Sequence, residues 1–474
     1  MNKTKKIISL LSGLGEDISA RNVTEVKLPK GRSCIELTVE HVSHTFSCPE
    51  CDSESVKKHG KKNAWAMHIP QGKRKTCKIH YKKQRYMCKS CNRTFFEKVD
   101  WIHENSHLTV SLWDSVYEDL THYITKKDIA RINGISEHYV DRVAKESSPA
   151  VPDHLPEVIC LDETHSEVEE EKGASKVKWV KYVTNVSNGS TGELCDILPF
   201  RNMKQLARYF KSHYSYKERC KVKHLCCDMA KHYMNLVKKC FPKATVCVDN
   251  YHVTNRLNKC VNNIRIKEQN RLLDAGKKKD YGDLKGLSHR LTTSLYHQRS
   301  FWEDKVADIT TRMNSHFKAC PELKDAYAML QYFHEIFHSS SPFKDKKEQL
   351  ALWISVFKKS TSDTISKTVE TVENHLEYIH NAWQYGYSNA TCEGNNRGIQ
   401  TIKNLSFGIR DFEYFRTRTL LIIGKPGVAR AYNKITAILE TSDCPFFSDF
   451  PSLEEYVLAF DWSNPHVDQS LEGA

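Results

Sequence analysis

Three acidic residues occur in contexts where carboxylate chemistry is expected. Asp162 and Asp228 each end a short apolar run, so each would be the last side chain that a buried strand delivers to a sheet edge. Glu393 opens a basic, helix-forming stretch. Three carboxylates from separate elements form an oxygen cage of the kind that binds Mg²⁺. Because paired ions of this kind clamp displacement at phosphorus, the pattern predicts an enzyme that cuts and rejoins phosphodiesters.

Two further acids compete for a place in this predicted site. Glu163 directly follows Asp162, so on a strand it would point to the opposite face. Asp249 also ends an apolar run and could replace Asp228 on pattern alone. His252 is compatible both with a catalytic role and with a buried histidine whose nitrogens are hydrogen-bonded.

Residues 151–252 carry the elements that would position these acids. The strand-like runs are EVICLDE, KVKWVKYVTNV, GELCDILPF, VKHLCCD and ATVCVDN, with helical patterns from Met203 to Lys217 and over MAKHYMNLVKKCF. Three strands in succession, followed by alternation with helices, predict a mixed five-stranded sheet covered by helices, as in ribonuclease-H-like domains. In that arrangement Asp162 ends the first strand and Asp228 the fourth, and these two strands lie side by side.

The region from Tyr251 to about Trp383 is helical throughout and rich in Lys, Glu, His and aromatic residues. We interpret it as an all-α insertion between the fifth strand and the helix that carries Glu393. The fold class is therefore an α+β/α multi-domain protein.

Two C-x-x-C pairs near the N-terminus predict a zinc ribbon. Cys48 and Cys51 form the first pair, and Cys88 and Cys91 form the second. Each pair places two thiolates on one tight turn, and four thiolates close a tetrahedral, structural Zn²⁺ site. Two chance C-x-x-C pairs in a cysteine-rich chain are one alternative. A redox motif is another, and it is disfavoured because there are two pairs and neither sits in a βαβ pattern. The stretch between the pairs is rich in lysine and arginine, which suits contacts with phosphate.

A helix-turn-helix pattern follows the cysteine pairs. Thr125 and Asp128 predict a capped helix that ends at Ile132, Asn133-Gly134 predicts the turn, and Ser136 predicts the cap of a second helix. The apolar seam is formed by Ile129, Ala130, Ile135, Val140 and Val143. A plain helical hairpin gives similar spacing, but the neighbouring zinc ribbon favours DNA binding. The predicted DNA-binding side chains are Lys126, Lys127, Arg131, Ser136, His138, Tyr139, Arg142, Lys403 and Arg410.

Bulk composition is consistent with a polyanionic partner. The chain has 474 residues, 71 Lys and Arg against 58 Asp and Glu, and a net charge of +13. From Asp443 to Ala474 there are seven acidic residues and no Lys or Arg, which predicts a peripheral acidic tail.

The 17 cysteines are an odd number and mostly lie singly in apolar runs, which favours a reducing cytosol. We expect no membrane span and no secretory signal, and we interpret the N-terminal stretch as a short amphipathic helix.

These patterns divide the chain into six predicted parts. They are an N-terminal region with the zinc ribbon (1–100), a helix-turn-helix domain (101–150), the first part of the catalytic domain (151–252), the helical insertion (253–385), the catalytic C-terminal helices with Glu393 (386–440) and the acidic tail (441–474).

The motifs resemble, in their order, those of the ISL3 family of bacterial insertion-sequence transposases within the DDE group. The matching pieces are CPEC…CKSC, DIARINGISEHYVDRV, VICLDE, CCDMAKHYMNLVKKCFPKATVCVDNYHVTN and CEGNNRGIQTIKNLSFGIRDFEYFRTR. They extend from about Cys34 to Ile422. No single piece is decisive, but the joint order is specific.

The resemblance implies roles for individual residues. Asp228, followed by Met229 and Tyr233, matches the segment with the second catalytic aspartate. Glu393-Gly394, with Asn396 and Lys403, matches the segment with the third acid, and Gly408-Ile409-Arg410 and Phe415-x-x-Arg418 continue the match. Asp249 and His252 match a D-x-x-H element that supports the site rather than binding the main ions. Fold analogy implies that Asp162 bridges two Mg²⁺ (or Mn²⁺) ions, with Asp228 on one and Glu393 on the other.

The resemblance also implies a division of labour and a location. The zinc ribbon and helix-turn-helix would bind the terminal inverted repeats of the element, and the catalytic domain would cut strands and join 3′ ends to target DNA. Holding two ends implies a homo-oligomer on DNA in the bacterial cytoplasm, associated with the nucleoid. The main alternative is a catalytically idle DNA-binding regulator or a domesticated transposase. A third option is a structural zinc protein that binds RNA, but the sequence shows no aromatic nucleic-acid platform of the RNP type.

Overall fold

The computed structural model describes residues 14, 18–27, 33–42, 47–70, 76–171, 177–293, 306–405 and 409–424. The predicted N-terminal amphipathic helix, Gly408 and the predicted acidic tail lie outside the described residues. Within the described ranges, none of the helices combines the length and the apolar character that crossing a membrane requires.

The N-terminal part forms a five-stranded mixed sheet. Its strands are β1 (Ile18–Lys27), β2 (Ser33–His41), β3 (Val56–His68), β4 (Cys77–Cys88) and β5 (Thr94–Phe96). The order is β1-β2-β4-β3, with β5 on β4, and only the β2–β4 pair is parallel. In β4 the buried residues Cys77, Ile79 and Tyr81 alternate with more exposed ones, as a sheet with one covered face requires.

Three helices follow: α1 (Val110–Leu120), α2 (Lys126–Ile132) and α3 (Glu137–Glu146). The predicted cap of α2 is confirmed, because the Thr125 hydroxyl accepts a hydrogen bond from the Asp128 backbone N–H at 3.0 Å and donates to its carboxylate. Gly134 has a φ of +62°, which suits the predicted turn. Ser136 occupies the N-cap of α3, but among the described contacts its side chain makes no capping hydrogen bond.

The predicted apolar seam between these helices is confirmed. Ile129, Ala130, Val140 and Val143 are buried in one hydrophobic cluster, and Ile135 packs against its margin. Since α2 and α3 are short, tertiary packing of this face contributes more to their stability than helix propensity does.

The second sheet also has five strands: β6 (Val158–Glu171), β7 (Val177–Asn188), β8 (Leu194–Leu198), β9 (His224–Cys227) and β10 (Thr245–Val248). Its order is β10-β9-β6-β7-β8. Strands β6 and β10 both pair with β9 in parallel, whereas β7 and β8 are antiparallel. The predicted mixed five-stranded sheet is confirmed, and the strands associated with Asp162 and Asp228 are neighbours, as expected.

Two predicted element boundaries were wrong. Strand β6 continues to Glu171 and does not end at Asp162, because the alternation of buried residues continues through Thr164, Ser166 and Val168. Small polar residues at the inward positions interrupt the apolar run without ending the strand. The helix predicted from Met203 to Lys217 is divided into α4 (Met203–His213) and α5 (Tyr216–Arg219), and α6 (Lys231–Cys240) follows β9.

The region predicted to be helical contains eight helices among its described residues. They are α7 (Asn250–Asp274), α8 (Lys278–Gly286), α9 (Ser288–Thr292), α10 (Val306–Ala319), α11 (Pro321–His338), α12 (Phe343–Phe357), α13 (Asp363–Glu373) and α14 (Leu376–Tyr385). The last two described helices are α15 (Ala390–Leu405) and α16 (Phe412–Ile423).

The described residues fall into two compact units. The first contains those of Met1–Val151, His165–Tyr182 and Arg397–Lys425, and the second contains those of Pro152–Thr164 and Val183–Asn396. Helix α16 therefore belongs to the first unit, where Tyr414 and Leu421 join the cluster formed by α1, α2 and α3. The acidic residues of interest all belong to the second unit.

Candidate active site

The second sheet and its adjoining helices position the acidic residues. Asp162 lies within β6, and Asp228 and Asp249 directly follow β9 and β10. Glu393 lies in the first turn of α15. Because β6, β9 and β10 are adjacent and parallel, and Cys160 on β6 is level with Cys226 on β9, Asp162 lies beside the carboxyl ends of β9 and β10 although β6 continues past it.

Asp249, His252 and Glu393 come together at this edge. One ligand atom from each of the three side chains lies within 4.8 Å of the other two. Asp249 is the N-cap residue of α7 and His252 lies three residues later, so one helical turn places them on the same face. Asp249 is only 4 % exposed. Among the described residues, Asp249 Oδ2 and His252 Nε2 are buried and have no hydrogen-bond partner. A bound cation would satisfy both atoms.

Asp162 lies in the electrostatic field of the same group. The pKa of its carboxyl is raised from 3.8 to about 6, mainly by burial; the nearby carboxylates of Asp228 and Asp249 also raise it, whereas the Glu163 backbone N–H and His252 lower it. The Glu163 backbone N–H donates to Asp162 Oδ1 at 2.8 Å. Negative charge is therefore concentrated in a desolvated pocket, which favours a bound cation.

The ligand atoms of the predicted trio do not all lie within 4.8 Å of one another. Among the described residues, the groups of three or more ligands within 4.8 Å of one another are the four cysteines and the set of Asp249, His252 and Glu393. The trio of Asp162, Asp228 and Glu393 is not one of them. Asp228 Oδ1 instead accepts a hydrogen bond from the Ala230 N–H at 2.9 Å. The catalytic assignment of the trio stays a prediction, and the structure adds Asp249 and His252 to the environment of Glu393.

Asn396 connects the Glu393 helix to the sheet, a role that the sequence pattern did not indicate. Its side-chain N–H donates to Asp162 Oδ2 at 2.8 Å. Its carbonyl oxygen accepts from Asn185 and Thr164. Since Asn396 follows Glu393 by three residues on α15, both side chains project from one helix face. The matched E-G-x-N spacing was the available signal for this residue.

Glu163 belongs to a separate group of contacts, consistent with the expectation that it points away from Asp162. It lies 3.0 Å from Arg201 and 3.3 Å from His232. Burial acts to raise the pKa of Glu163, but hydrogen bonds from His232 and Arg201 lower it overall. The hydroxyl of buried Tyr233 donates to the same carboxylate at 3.4 Å. Glu163 is thus neutralised by neighbouring side chains.

The four predicted zinc ligands converge in the first unit. The Sγ atoms of Cys48 and Cys91 are 3.7 Å apart, and those of Cys51 and Cys88 are 3.6 Å apart. Tetrahedral coordination with Zn–S bonds of about 2.3 Å requires sulfur separations of about 3.8 Å. The backbone N–H groups of Cys91 and Ser90 lower the pKa of Cys88 to about 6, whereas, against a hydrogen bond from the Ser53 backbone, burial and the neighbouring cysteines raise the pKa of Cys51 to about 12, so Cys88 is the first of the two to form the thiolate that binds metal. This cluster fits Zn²⁺.

The profile of the ISL3 DDE family, which is described as a transposase family, matches residues 159–419. This match covers more than half of the chain. The chain belongs to the ISL3 family of DDE transposases. Asp162, Asp228, Asp249, His252 and Glu393 all lie within the matched residues of this ISL3-family transposase.

No curated protein matches the sequence of this ISL3-family transposase. Among solved structures, the Drosophila P element transposase strand transfer complex is similar, with 11 % identity and a TM-score of 0.39 over 67 % of this chain and 93 % of that chain.

The basic residues predicted to contact DNA are in different environments. Lys126 lies 3.0 Å from Asp141 and above the Tyr414 ring, Arg131 pairs with Asp128, and Arg142 pairs with Glu146. Lys127, Ser136, His138 and Arg410 are exposed, whereas Tyr139 and Lys403 are half-buried. The exposed residues are the most accessible to a partner, and their DNA-binding role stays a prediction.

Changing Cys48 and Cys88 to serine together should release about one equivalent of zinc and destabilise the N-terminal sheet. The expected result follows because two of four thiolates are lost and a structural zinc site contributes directly to folding. Metal content by mass spectrometry and thermal melting provide the measurements. A double serine variant of Cys195 and Cys220, which are outside the cluster, serves as the control. Unchanged zinc content in the Cys48/Cys88 variant would refute this assignment.

The stability of the metal-free protein should fall as the pH rises from about 4 to about 6. The pKa of Asp162 is about 6 in the folded protein against 3.8 for the free group, so the unfolded chain loses this proton first. The stabilising contribution of protonated Asp162 is therefore complete below pH 4 and is lost as the pH passes 6. Urea denaturation across this pH range should show a decrease in the free energy of unfolding, and this decrease should be smaller in Asp162→Asn, because Asp249, whose pKa is also raised by burial, still contributes to it. Parallel profiles for the two proteins would contradict the prediction.

Proposed function

We propose that this ISL3-family member is a DNA transposase that binds the terminal inverted repeats of an insertion sequence and catalyses Mg²⁺-dependent strand cleavage and strand transfer. The observation that carries the proposal is the group of acidic side chains at one edge of the second sheet, inside the family-matched residues, where burial raises the pKa of Asp162 and Asp249. An acidic side chain on an exposed surface is solvated by water, so it would not need to be grouped with other acids in a buried pocket.

The fold of the catalytic part supports this proposal. Three parallel strands, β6, β9 and β10, are extended by the antiparallel pair of β7 and β8, and α15 returns to the sheet after the helical region. We assign this part to the ribonuclease-H-like class on the basis of strand order and the order of elements along the chain. Rigid strand ends of this kind hold carboxylates at fixed positions.

In the proposed mechanism Asp162, Asp228 and Glu393 hold the catalytic Mg²⁺ ions. When bound, such ions activate an attacking water or 3′-hydroxyl and neutralise charge on the leaving oxygen. The protein contributes by orienting its ligands. Asn396 donates to one oxygen of Asp162 and the Glu163 backbone N–H donates to the other, so the carboxylate rotamer is fixed before DNA arrives. Burial excludes water and strengthens electrostatic interactions in the pocket.

The strands beside the zinc-binding cysteines offer a phosphate-binding surface. In β3, residues 57–63 are all exposed and include Lys57, Lys58, Lys61 and Lys62. Lys62 lies directly opposite Lys83 on β4, and like charges in this position are destabilising. Among the residues described by the structure, none of these lysines forms a salt bridge. A DNA backbone would neutralise these lysines. We call the surface formed by Lys57, Lys58, Lys61, Lys62 and Lys83 the basic ribbon. We propose that the basic ribbon anchors DNA while α3 reads its sequence.

Replacing Lys58, Lys61 and Lys62 with glutamine should weaken binding to inverted-repeat and random DNA about equally. Each lysine that contacts a phosphate should lower the slope of log K against log salt by about 1. Fluorescence anisotropy titrations at several salt concentrations measure this slope. A matched control replaces the exposed residues Lys238, Lys239 and Lys243, on and after α6. Equal slopes in the two variants would contradict a specific role of the basic ribbon.

The function itself is tested by incubating purified protein with end-labelled DNA that carries the sequences flanking the gene. We expect cleavage at the element boundary that depends on Mg²⁺, followed by joining of the 3′ ends to a target plasmid. Tight binding to the repeats without cleavage under any divalent metal would favour the idle regulator instead. We further propose a homo-oligomer in the DNA complex, since both ends must be held together for joining.

A further inference from the structure

We propose that Asp249, His252 and Glu393 form a mixed nitrogen–oxygen site for a divalent first-row transition metal such as Mn²⁺. In this proposal Asp249 and His252 are direct metal ligands and do more than support the catalytic acids. The inference goes beyond the proposed transposition chemistry, because it concerns which ion the pocket prefers.

The geometry of the three side chains carries the inference. Their ligand atoms lie within 4.8 Å of one another, a span that suits three ligands around a single ion. Asp249 is 4 % exposed, and its Oδ2 has no hydrogen-bond partner in the described part of the chain. His252 Nε2 is likewise buried and unpartnered there. Buried polar atoms nearly always have a partner, so these two atoms indicate a missing ligand.

The backbone fixes the three ligands before any ion binds. The Asp249 N–H donates to the Cys227 carbonyl at 3.2 Å, which continues the β9–β10 pairing into the first turn of α7. Next to it, the indole N–H of Trp383 donates to the Asn250 side chain at 2.7 Å and ties α7 to α14. On α15, the Glu393 N–H donates to the Asn389 carbonyl at 3.1 Å. Ligands held on rigid elements in this way favour metal binding with little reorganisation.

The ligand types determine the class of cation. Two carboxylates supply two negative charges, which balance a divalent ion. An imidazole nitrogen is a poor ligand for Mg²⁺ but a good one for transition metals, whereas oxygen-only sets suit Mg²⁺. Asp162 and Asp228 provide only oxygen. The pocket would therefore contain a position suited to Mg²⁺ and a neighbouring position that prefers a transition metal.

The test uses full-length, untagged, zinc-loaded protein with Mn²⁺ as the probe. Pulsed electron paramagnetic resonance should detect nitrogen coupling to bound Mn²⁺ in the wild-type protein. His252→Asn should abolish this coupling and weaken Mn²⁺ binding by at least about tenfold, and Asp249→Asn should weaken binding by a similar factor. His232→Asn is the matched control, because His232 lies in the same unit but pairs with Glu163 at 3.3 Å. This control should retain the coupling.

Two results would overturn the inference. One is bound Mn²⁺ without nitrogen coupling in the wild-type protein, a measurement that does not depend on any variant folding. The other is unchanged Mn²⁺ affinity in His252→Asn with a wild-type thermal melting profile. Neither result bears on transposition, since Mg²⁺-dependent cleavage of end-labelled DNA is measured separately. The inference and the proposed function can therefore fail independently.

Discussion

Replacing Asp162, Asp228 or Glu393 with the corresponding amide should lower the rate of DNA strand cleavage by more than about 100-fold. Changes to groups that only orient metal ligands already cost about 10- to 100-fold, so loss of a ligand should cost more. Each amide keeps the size of the side chain but removes the charge that binds the ion. Single-turnover cleavage of end-labelled DNA measures the rate, and anisotropy measures binding.

Binding to the inverted repeats should be retained in all three variants, since the proposed DNA-binding elements belong to the first unit. Asp153→Asn is a suitable control, because Asp153 is an exposed acid of the second unit and should leave cleavage unchanged. Asn396→Ala should give an intermediate loss, because it frees the Asp162 carboxylate without removing a charge. Wild-type cleavage by all three amide variants would refute the assignment of these acids.

Replacing Arg418 with methionine should lower the free energy of unfolding of the first unit by at least about 2 kcal/mol, because each buried carbonyl that loses its donor costs about 1–3 kcal/mol. Arg418 is 1 % exposed, and its guanidinium donates to the carbonyl oxygens of Leu120, His122 and Ile124. These carbonyls lie at and beyond the end of α1, where helix geometry leaves them without intrahelical donors. Methionine retains much of the volume but leaves three carbonyls without this donor.

Urea denaturation followed by intrinsic fluorescence measures this effect. Arg21→Met is the control in the same unit, since Arg21 forms an exposed ion pair with Glu40 and should contribute little to stability. A wild-type denaturation midpoint in Arg418→Met would contradict the prediction. Arg418 belongs to the Phe415-x-x-Arg418 motif that resembles the family pattern. Its hydrogen bonds hold α16 against the end of α1, which gives the motif a structural explanation. The Arg418 side chain is therefore not available to DNA.

The sequence could predict those features that depend on local pattern. Apolar runs that end in an acid identified the strands before Asp228 and Asp249, because a buried parallel strand is apolar on both faces. The zinc cluster could be predicted in the same way, because each C-x-x-C pair places its two thiolates on one local turn. The cap on Thr125 follows from the same logic, because a capping hydroxyl needs only the next helical turn.

Features that depend on distant contacts could not be predicted in this way. Glu393 meets Asp249 and His252 only because α15 returns to the sheet after a long helical region, and no local pattern encodes that return. The Asn396–Asp162 hydrogen bond joins residues separated by 234 positions. The continuation of β6 past Asp162 was hidden because Thr164 and Ser166 are buried polar residues. The inclusion of α16 in the first unit likewise depends on packing between segments far apart in the chain.

The central claim is that side chains from β6, β9 and α15 share one pocket for divalent ions. The most direct measurement is anomalous diffraction from crystals of the protein grown with end DNA and Mn²⁺ in place of Mg²⁺. We predict anomalous peaks within about 2.0–2.4 Å of carboxylate oxygens of Asp162, Asp228 and Glu393. A map in which no bound ion contacts Asp162 or Asp228, although DNA occupies the site, would contradict the account.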